Sequence, residues 1–159
     1  MEEGDDIGWE FGSCIWAPTK DRKGTPGRYK LILEVDIGEQ IIHIHNSVIT
    51  ATSIVASTAR ETAPPPNPGP WGYASRFYRL ELKGFREYKI RPTVDEFIAE
   101  FKLDIFHDIE INRPSRYPFA IYHYHSKPPE IKAVQGRFLT LTSKFLKQAI
   151  NEATGECEP

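Results

Sequence analysis

The fold of this chain is decided by residues 76–110, which read RFYRLELKGFREYKIRPTVDEFIAEFKLDIFHDIE. The first part alternates as a half-buried strand does, because one side takes Tyr78, Leu80 and Leu82 and the other takes Phe77, Arg79, Glu81 and Lys83. The second part opens on a capping box, in which Thr93 and Glu96 can each bond the other's backbone amide. Apolar residues then recur at helical spacing, at Val94, Phe97, Ile98, Phe101, Ile105 and Ile109. The stretch predicts a strand followed by an amphipathic helix that packs on a sheet.

Further strands and one further helix are predicted on both sides of this stretch. The extended segments are Tyr29 to Ile37, Ile41 to His45, Glu87 to Arg91, Pro118 to His125 and Gly136 to Leu141. The first two are expected to form a hairpin through the turn at residues 38–40. Thr142 or Ser143 can cap a final helix, and Gly155 is placed to end it. Residues 46–60 leave both a short helix and an extended segment open.

The order of these elements predicts an α+β fold, namely a mainly antiparallel sheet packed against two longer helices, with an N-terminal arm. A length of 159 residues suits one domain of ordinary size. We therefore expect a flexible arm over residues 1–27 and a single α+β domain over residues 28–155. A proline-rich loop at residues 63–71 interrupts that domain, because five prolines between Pro64 and Pro70 exclude a helix or a central strand.

Composition limits the classes of protein to consider. Apolar residues make up 40% of the chain and charged residues 26%, as in globular proteins, and no apolar run approaches the length of a membrane span. The acidic start leads into no apolar run, so we expect no secretory signal. Cys14 and Cys157 lie near opposite ends without metal-ligand spacing, which indicates reduced thiols in a cytosolic compartment.

Charge is unevenly distributed along the chain although the net charge is only −2. Residues 76–91 contain six basic and two acidic residues, whereas residues 95–110 contain six acidic residues and one lysine. Opposite charges on adjacent elements suit head-to-tail self-association or docking on an anionic surface. The alternative is that neighbouring elements pair their charges within one molecule.

Two segments are candidates for self-association. The predicted arm contains two tryptophans, which is unusual for a solvated tail, so we expect it to dock on its own domain or on a neighbouring subunit. The proline-rich loop is the second candidate, as a spacer or as a ligand for an aromatic groove. The residues that we assign to self-association are Trp9, Phe11, Trp16, Pro65 and Trp71.

Two His-x-His pairs are the most evident candidates for chemistry. His43 and His45, and likewise His123 and His125, are two residues apart, so each pair faces one way on a strand. Four imidazoles from neighbouring strands would suit zinc or copper. Because Ile42 and Ile44 would then take the core side, exposed histidines are the favoured interpretation, and a pH-sensitive interface is a third. We predict no cofactor.

The basic strand is the strongest candidate for a binding surface. It interleaves rings with positive charges, a combination typical of single-stranded nucleic acid binding and of anionic membrane surfaces. A core strand with snorkelling charges is the alternative. Nucleophile turns and glycine-rich phosphate loops are absent from the sequence, so we do not expect an enzyme.

Several segments resemble matrix proteins of rhabdoviruses and bornaviruses. The rhabdovirus-like part is the strand Phe77 to Phe85, a short strand to Ile90, the helix from Thr93, and a returning strand led by Arg116-Tyr117-Pro118-Phe119. Tyr29-Lys-Leu-Ile-Leu-Glu-Val-Asp36 and Phe138-Leu-Thr-Leu141, followed by Ala149-Ile150-Asn151, are similar to bornavirus matrix proteins. Together these segments cover most of residues 29–153.

The resemblance implies a non-enzymatic viral structural protein that self-associates beneath an envelope and touches anionic lipid and the ribonucleoprotein. Such a protein would be cytoplasmic or virion-associated and peripheral to the membrane. The basic surface residues that match this role are Arg76, Arg79, Lys83, Arg86 and Lys89. The chain departs from animal rhabdoviruses in its acidic arm and in lacking a Pro-Pro-x-Tyr motif. Alternatives are an RNA-binding module such as a silencing suppressor, and a metal-dependent enzyme at the His-x-His pairs.

Overall fold

The structure is a computed structural model that describes residues 8–112, 116–134 and 139–156, and it has an α+β fold. Its mostly antiparallel, curled sheet has the strand order β1-β5-β3-β2, and β4 also pairs with β5. Two further strands, β6 and β7, pair antiparallel with each other. The strands are β1 Cys14–Pro18, β2 Gln40–His45, β3 Val48–Val55, β4 Arg60–Thr62, β5 Phe77–Glu87, β6 Phe119–Tyr122 and β7 Glu130–Ala133.

Three α-helices accompany these strands in the described residues: α1 Val94–Glu100, α2 Lys102–Asn112 and α3 Lys144–Thr154. The contacts divide the chain into two compact units. The first takes in residues 8–42 and 52–86, and the second takes in residues 43–51 and 87–156. None of the helices in the described residues is both long enough and apolar enough to cross a bilayer.

The first unit is built around β5, as its alternating sequence predicts. Leu80 is buried, and β1 lies antiparallel alongside β5 with Ile15 opposite Leu80 and Pro18 opposite Phe77. Phe77 is also fully buried although it lies on the other side of the alternation. β1 falls within the predicted arm, where Cys14–Pro18 form a regular strand paired with β5.

The second unit is organised by the helix that the capping box starts. The Thr93 hydroxyl accepts from the Glu96 amide at 3.1 Å, and the Glu96 carboxylate accepts from the Thr93 amide at 2.8 Å, so the predicted box is confirmed. The buried ring of Phe97 packs against Phe101 and Phe119. α3 is capped by Ser143, and Gly155 ends it in the left-handed conformation, as predicted.

The predicted strand over Tyr29 to Ile37 is wrong. Residues Lys30–Glu34 form a 3₁₀ helix in which Ile32 is buried, while Leu33 is 47% exposed. The hairpin is instead formed by β2 and β3. Residues 46–60, for which the sequence left both a helix and an extended segment open, therefore contain the strand β3. Asn46 and Ser47 join the two strands with positive φ angles of 48° and 59°, which suits a tight two-residue turn.

Several predicted boundaries also differ from the structure. The long helix is interrupted at Phe101, whose φ of −105° and ψ of 21° separate α1 from α2. The strand predicted to His125 ends at Tyr122, and its partner β7 was not predicted. Residues 139–141 of the strand predicted over Gly136 to Leu141 are irregular, while residues 136–138 lie outside the described part of the chain.

Candidate functional site

Three tryptophans of the predicted self-association set form one aromatic cluster in the first unit. The ring of Trp16 lies edge-on to Trp9, Trp71 and Phe77, with centroids 6.1, 5.4 and 5.8 Å away. Pro65 of the proline-rich loop is buried as well. These contacts lie within one chain and stabilise the arm and the loop on the sheet. A role for these residues at a neighbouring subunit stays a prediction.

Arg79 belongs to this cluster and not to the exposed basic surface. Its guanidinium lies 4.2 Å from the centroid of the Trp9 ring and donates to the Glu81 carboxylate at 2.7 and 3.0 Å. It also donates to the carbonyl oxygen of Gly8 at 2.5 Å, and only 12% of its side chain is exposed. The hydrogen bonds from Arg79 lower the pKa of Glu81 and keep that carboxylate ionised. Arg79 therefore fixes the N-terminal segment on β5.

Arg76 is exposed but forms an ion pair with a neighbouring strand. Its Nε atom lies 3.5 Å from a carboxylate oxygen of Glu61, next to β5 in β4. Arg60 of β4 lies 3.2 Å from Glu81 in the same way. These pairs support the interpretation that part of the basic strand compensates its charge within the molecule.

The distal half of β5 has a different environment, because every residue from Lys83 to Glu87 is exposed. Phe85 is 40% exposed and Phe11 is 61% exposed, and their rings meet edge to face with centroids 5.6 Å apart. In the sequence of β5, Lys83 precedes Phe85 by two residues and Arg86 follows it directly. We call Phe11, Lys83, Phe85 and Arg86 the basic-aromatic surface. Lys89, the last of the predicted basic residues, is exposed beyond the strand.

Gly12 makes the contact between the two rings possible. It is buried with a φ of +86°, and a Cβ atom at this position would lie 2.3 Å from Cδ2 of Phe85. Only glycine combines this conformation with such a close approach. The sequence predicted neither a role for Gly12 nor the contact of Phe11 with Phe85, and it assigned Phe11 to the N-terminal arm.

In the described residues no group of three or more potential metal ligands is found, either at the histidine pairs or elsewhere. His45, His123 and His125 are exposed, as the favoured interpretation predicts. His43 is only partly exposed, and burial lowers the pKa of its imidazole. The prediction that Ile44 takes the core side is wrong, since that side chain is 51% exposed.

A buried carboxylate in the second unit was missed by the sequence reasoning. Asp108 of α2 accepts hydrogen bonds from the hydroxyls of Tyr117 at 2.6 Å and Ser143 at 2.5 Å, and from the Asn112 side chain. Because Ser143 also caps α3, this group connects α2, the segment before β6 and the start of α3. The only signal in the sequence is an acidic residue on the apolar side of a helix.

Cys14 is buried, and burial raises the pKa of its thiol, so the neutral form is favoured. This is the environment of a packing residue and not of an activated nucleophile. Cys157, the second cysteine, lies outside the described residues.

In comparisons with known proteins, no protein-family model matches the chain, and no curated protein matches it significantly.

Proposed function

We propose that this chain is a non-enzymatic structural protein of the viral matrix type, which self-associates and binds an anionic membrane surface. The observation that carries the proposal is the basic-aromatic surface, where two exposed rings meet and the exposed cations Lys83 and Arg86 flank Phe85 in the sequence of β5. The architecture proposed with it is a mainly antiparallel sheet packed against two longer helices, with an N-terminal arm. A cytoplasmic or virion location, peripheral to the membrane, also belongs to it.

An anionic membrane offers both chemistries that this surface needs. Acidic headgroups attract lysine and arginine by about 1 kcal/mol each near the membrane surface. Aromatic rings are stable at the level of the headgroups, where the environment is neither fully wet nor fully apolar. Arg79 contributes less because it is bound to Glu81 and Trp9, and Arg76 contributes less because it forms an ion pair with Glu61. We expect Lys83 and Arg86 to provide most of the electrostatic attraction.

Co-sedimentation with lipid vesicles tests the membrane contact. The chain should bind vesicles that contain phosphatidylserine and not vesicles of phosphatidylcholine alone, and binding should weaken at high salt. The double variant Lys83→Glu/Arg86→Glu should lose binding. The matched control Lys23→Glu/Arg28→Glu changes net charge equally at exposed sites of the first unit and should retain it.

A single-stranded RNA oligonucleotide separates the membrane interpretation from the nucleic-acid alternative. If RNA binds and phosphatidylserine vesicles do not, and Lys83→Glu/Arg86→Glu abolishes RNA binding, the membrane proposal is wrong. Self-association is tested separately by light scattering over a concentration series. A chain that stays monomeric at every concentration and salt would rule out that part of the proposal.

A further inference from the structure

The solvent side of α2 carries two large apolar side chains. Leu103 is 84% exposed and Ile111 is 63% exposed, and the exposed His107 lies between them. Residues four apart lie on one side of a helix, so these three form a line. At 3.6 residues per turn, the exposed Asp104 and Glu110 fall on the two sides of this line. We call these five residues the acidic stripe.

The acidic stripe and the basic-aromatic surface are complementary. Each presents two exposed apolar or aromatic side chains together with two charged side chains, and the charges are of opposite sign. Two stripes facing each other would bring carboxylates together, and two basic-aromatic surfaces would bring cations together. Such like-charge contacts are unfavourable. Each surface therefore suits the other and not a second copy of itself.

We infer that the acidic stripe of one copy docks on the basic-aromatic surface of a second copy. The inference rests on the self-association proposed above and assigns it to two named surfaces. Because these surfaces differ, the contact is heterologous, and each added copy leaves one of each available for the next. Leu103 and Ile111 would cover Phe11 and Phe85, while carboxylates meet the cations beside them.

Two variants that each lose one surface test this arrangement. Leu103→Ser/Ile111→Ser removes the apolar part of the stripe, and Lys83→Glu/Arg86→Glu reverses the charge of the basic-aromatic surface. Each variant alone should be monomeric in sedimentation velocity at low salt. An equimolar mixture should form dimers and nothing larger, because the intact stripe of the second variant docks on the intact surface of the first.

Two controls guard against general effects of the substitutions. Leu33→Ser/Ile37→Ser removes two other exposed apolar side chains and should assemble as the wild type does. A chain that combines Lys83→Glu/Arg86→Glu with Asp104→Lys/Glu110→Lys exchanges the charges of both surfaces, and it should recover self-association. Circular dichroism confirms that every variant is folded.

The outcomes separate the two proposals. If the wild type assembles but the single-surface variants assemble too, or their mixture stays monomeric, the stripe contact is overturned and self-association stands. A wild-type chain that is monomeric at every concentration overturns self-association and the stripe contact together. A wild type that assembles, single variants that are monomeric, and a mixture of the two variants that forms dimers support both self-association and the stripe contact.

Discussion

At the scale of single residues, Asp108 makes the clearest prediction about stability. Its buried carboxylate accepts hydrogen bonds from Asn112, Tyr117 and Ser143. Burial, followed by the bond to Asp108, raises the pKa of Tyr117, so that hydroxyl stays protonated and donates. Asp108→Ala would leave these donors without their acceptor, and we expect the free energy of unfolding to fall by about 2–3 kcal/mol. Urea unfolding followed by circular dichroism measures this change.

The control is Asp104→Ala on the exposed side of the same helix. It removes a carboxylate without leaving a buried donor, so its effect should stay within about 0.5 kcal/mol. Equal losses for Asp108→Ala and Asp104→Ala would show that the buried hydrogen bonds do not stabilise the second unit.

His43 predicts a dependence of stability on pH. Burial lowers the pKa of its imidazole in the folded chain below the ordinary value of 6.5. The unfolded chain therefore binds more protons as pH falls through that ordinary value, and folded stability decreases there. We expect the melting temperature of the wild type to fall more between about pH 7.5 and about pH 5 than that of His43→Gln. His125→Gln, at an exposed position, should follow the wild type, and parallel curves for all three would contradict the prediction.

At the scale of elements, two glycines on either side of the Phe11–Phe85 contact make a matched pair. Gly12 and Gly84 both have positive φ angles, of 86° and 62°, so an alanine costs about 1–2 kcal/mol of backbone strain at either site. A Cβ atom at Gly12 would clash with the Phe85 ring, whereas one at Gly84 would meet nothing within 4 Å. Gly12→Ala should therefore lose about 1–3 kcal/mol more than Gly84→Ala in urea unfolding.

The same pair of variants tests the basic-aromatic surface. Gly12→Ala should displace the Phe85 ring from Phe11, which would remove the nuclear Overhauser contacts between the two rings. Gly84→Ala should retain those contacts. Equal stabilities together with unchanged ring contacts in both variants would mean that Gly12 does not set the position of Phe85.

The elements that could be predicted from the sequence are those whose signals are local. β5 alternates over its buried part, and the capping box of α1 lies within four consecutive residues, so neither depends on distant partners. The 3₁₀ helix Lys30–Glu34 was missed because its residues alternate like a strand, although the side chain that is buried is Ile32. Which side of a short segment is buried is decided by what packs on it, and the local sequence does not contain that information.

The candidate site shows the same limit. Arg79 and Lys83 lie on one side of the same alternating strand, so the sequence assigns both to the basic surface. Arg79 is instead bound by the carbonyl of Gly8, 71 residues away in the chain, and by the ring of Trp9. Lys83 remains exposed on the distal half of β5. The composition of the surface could be predicted, but the residues that remain exposed on it could not.

At the scale of the whole molecule, the two proposals concern one surface. The basic-aromatic surface is assigned both to an anionic membrane and to the acidic stripe of a second copy. The stripe presents carboxylates beside apolar side chains, as an anionic membrane presents headgroups above acyl chains. Both ligands therefore compete, and a copy bound through this surface to a membrane cannot also hold a neighbour there.

Competition predicts that anionic vesicles shorten the assemblies of this protein. Each copy that binds lipid through this surface releases the stripe of its neighbour, so at saturating phosphatidylserine the vesicle-bound protein should be present as single copies. Phosphatidylcholine vesicles should leave the assemblies unchanged. Chemical cross-linking of the protein in the vesicle pellet, compared with the same total protein without vesicles, measures the size. Assemblies that persist on vesicles at saturating anionic lipid would show that the membrane and the second copy bind different surfaces, and one of the two assignments would then be wrong.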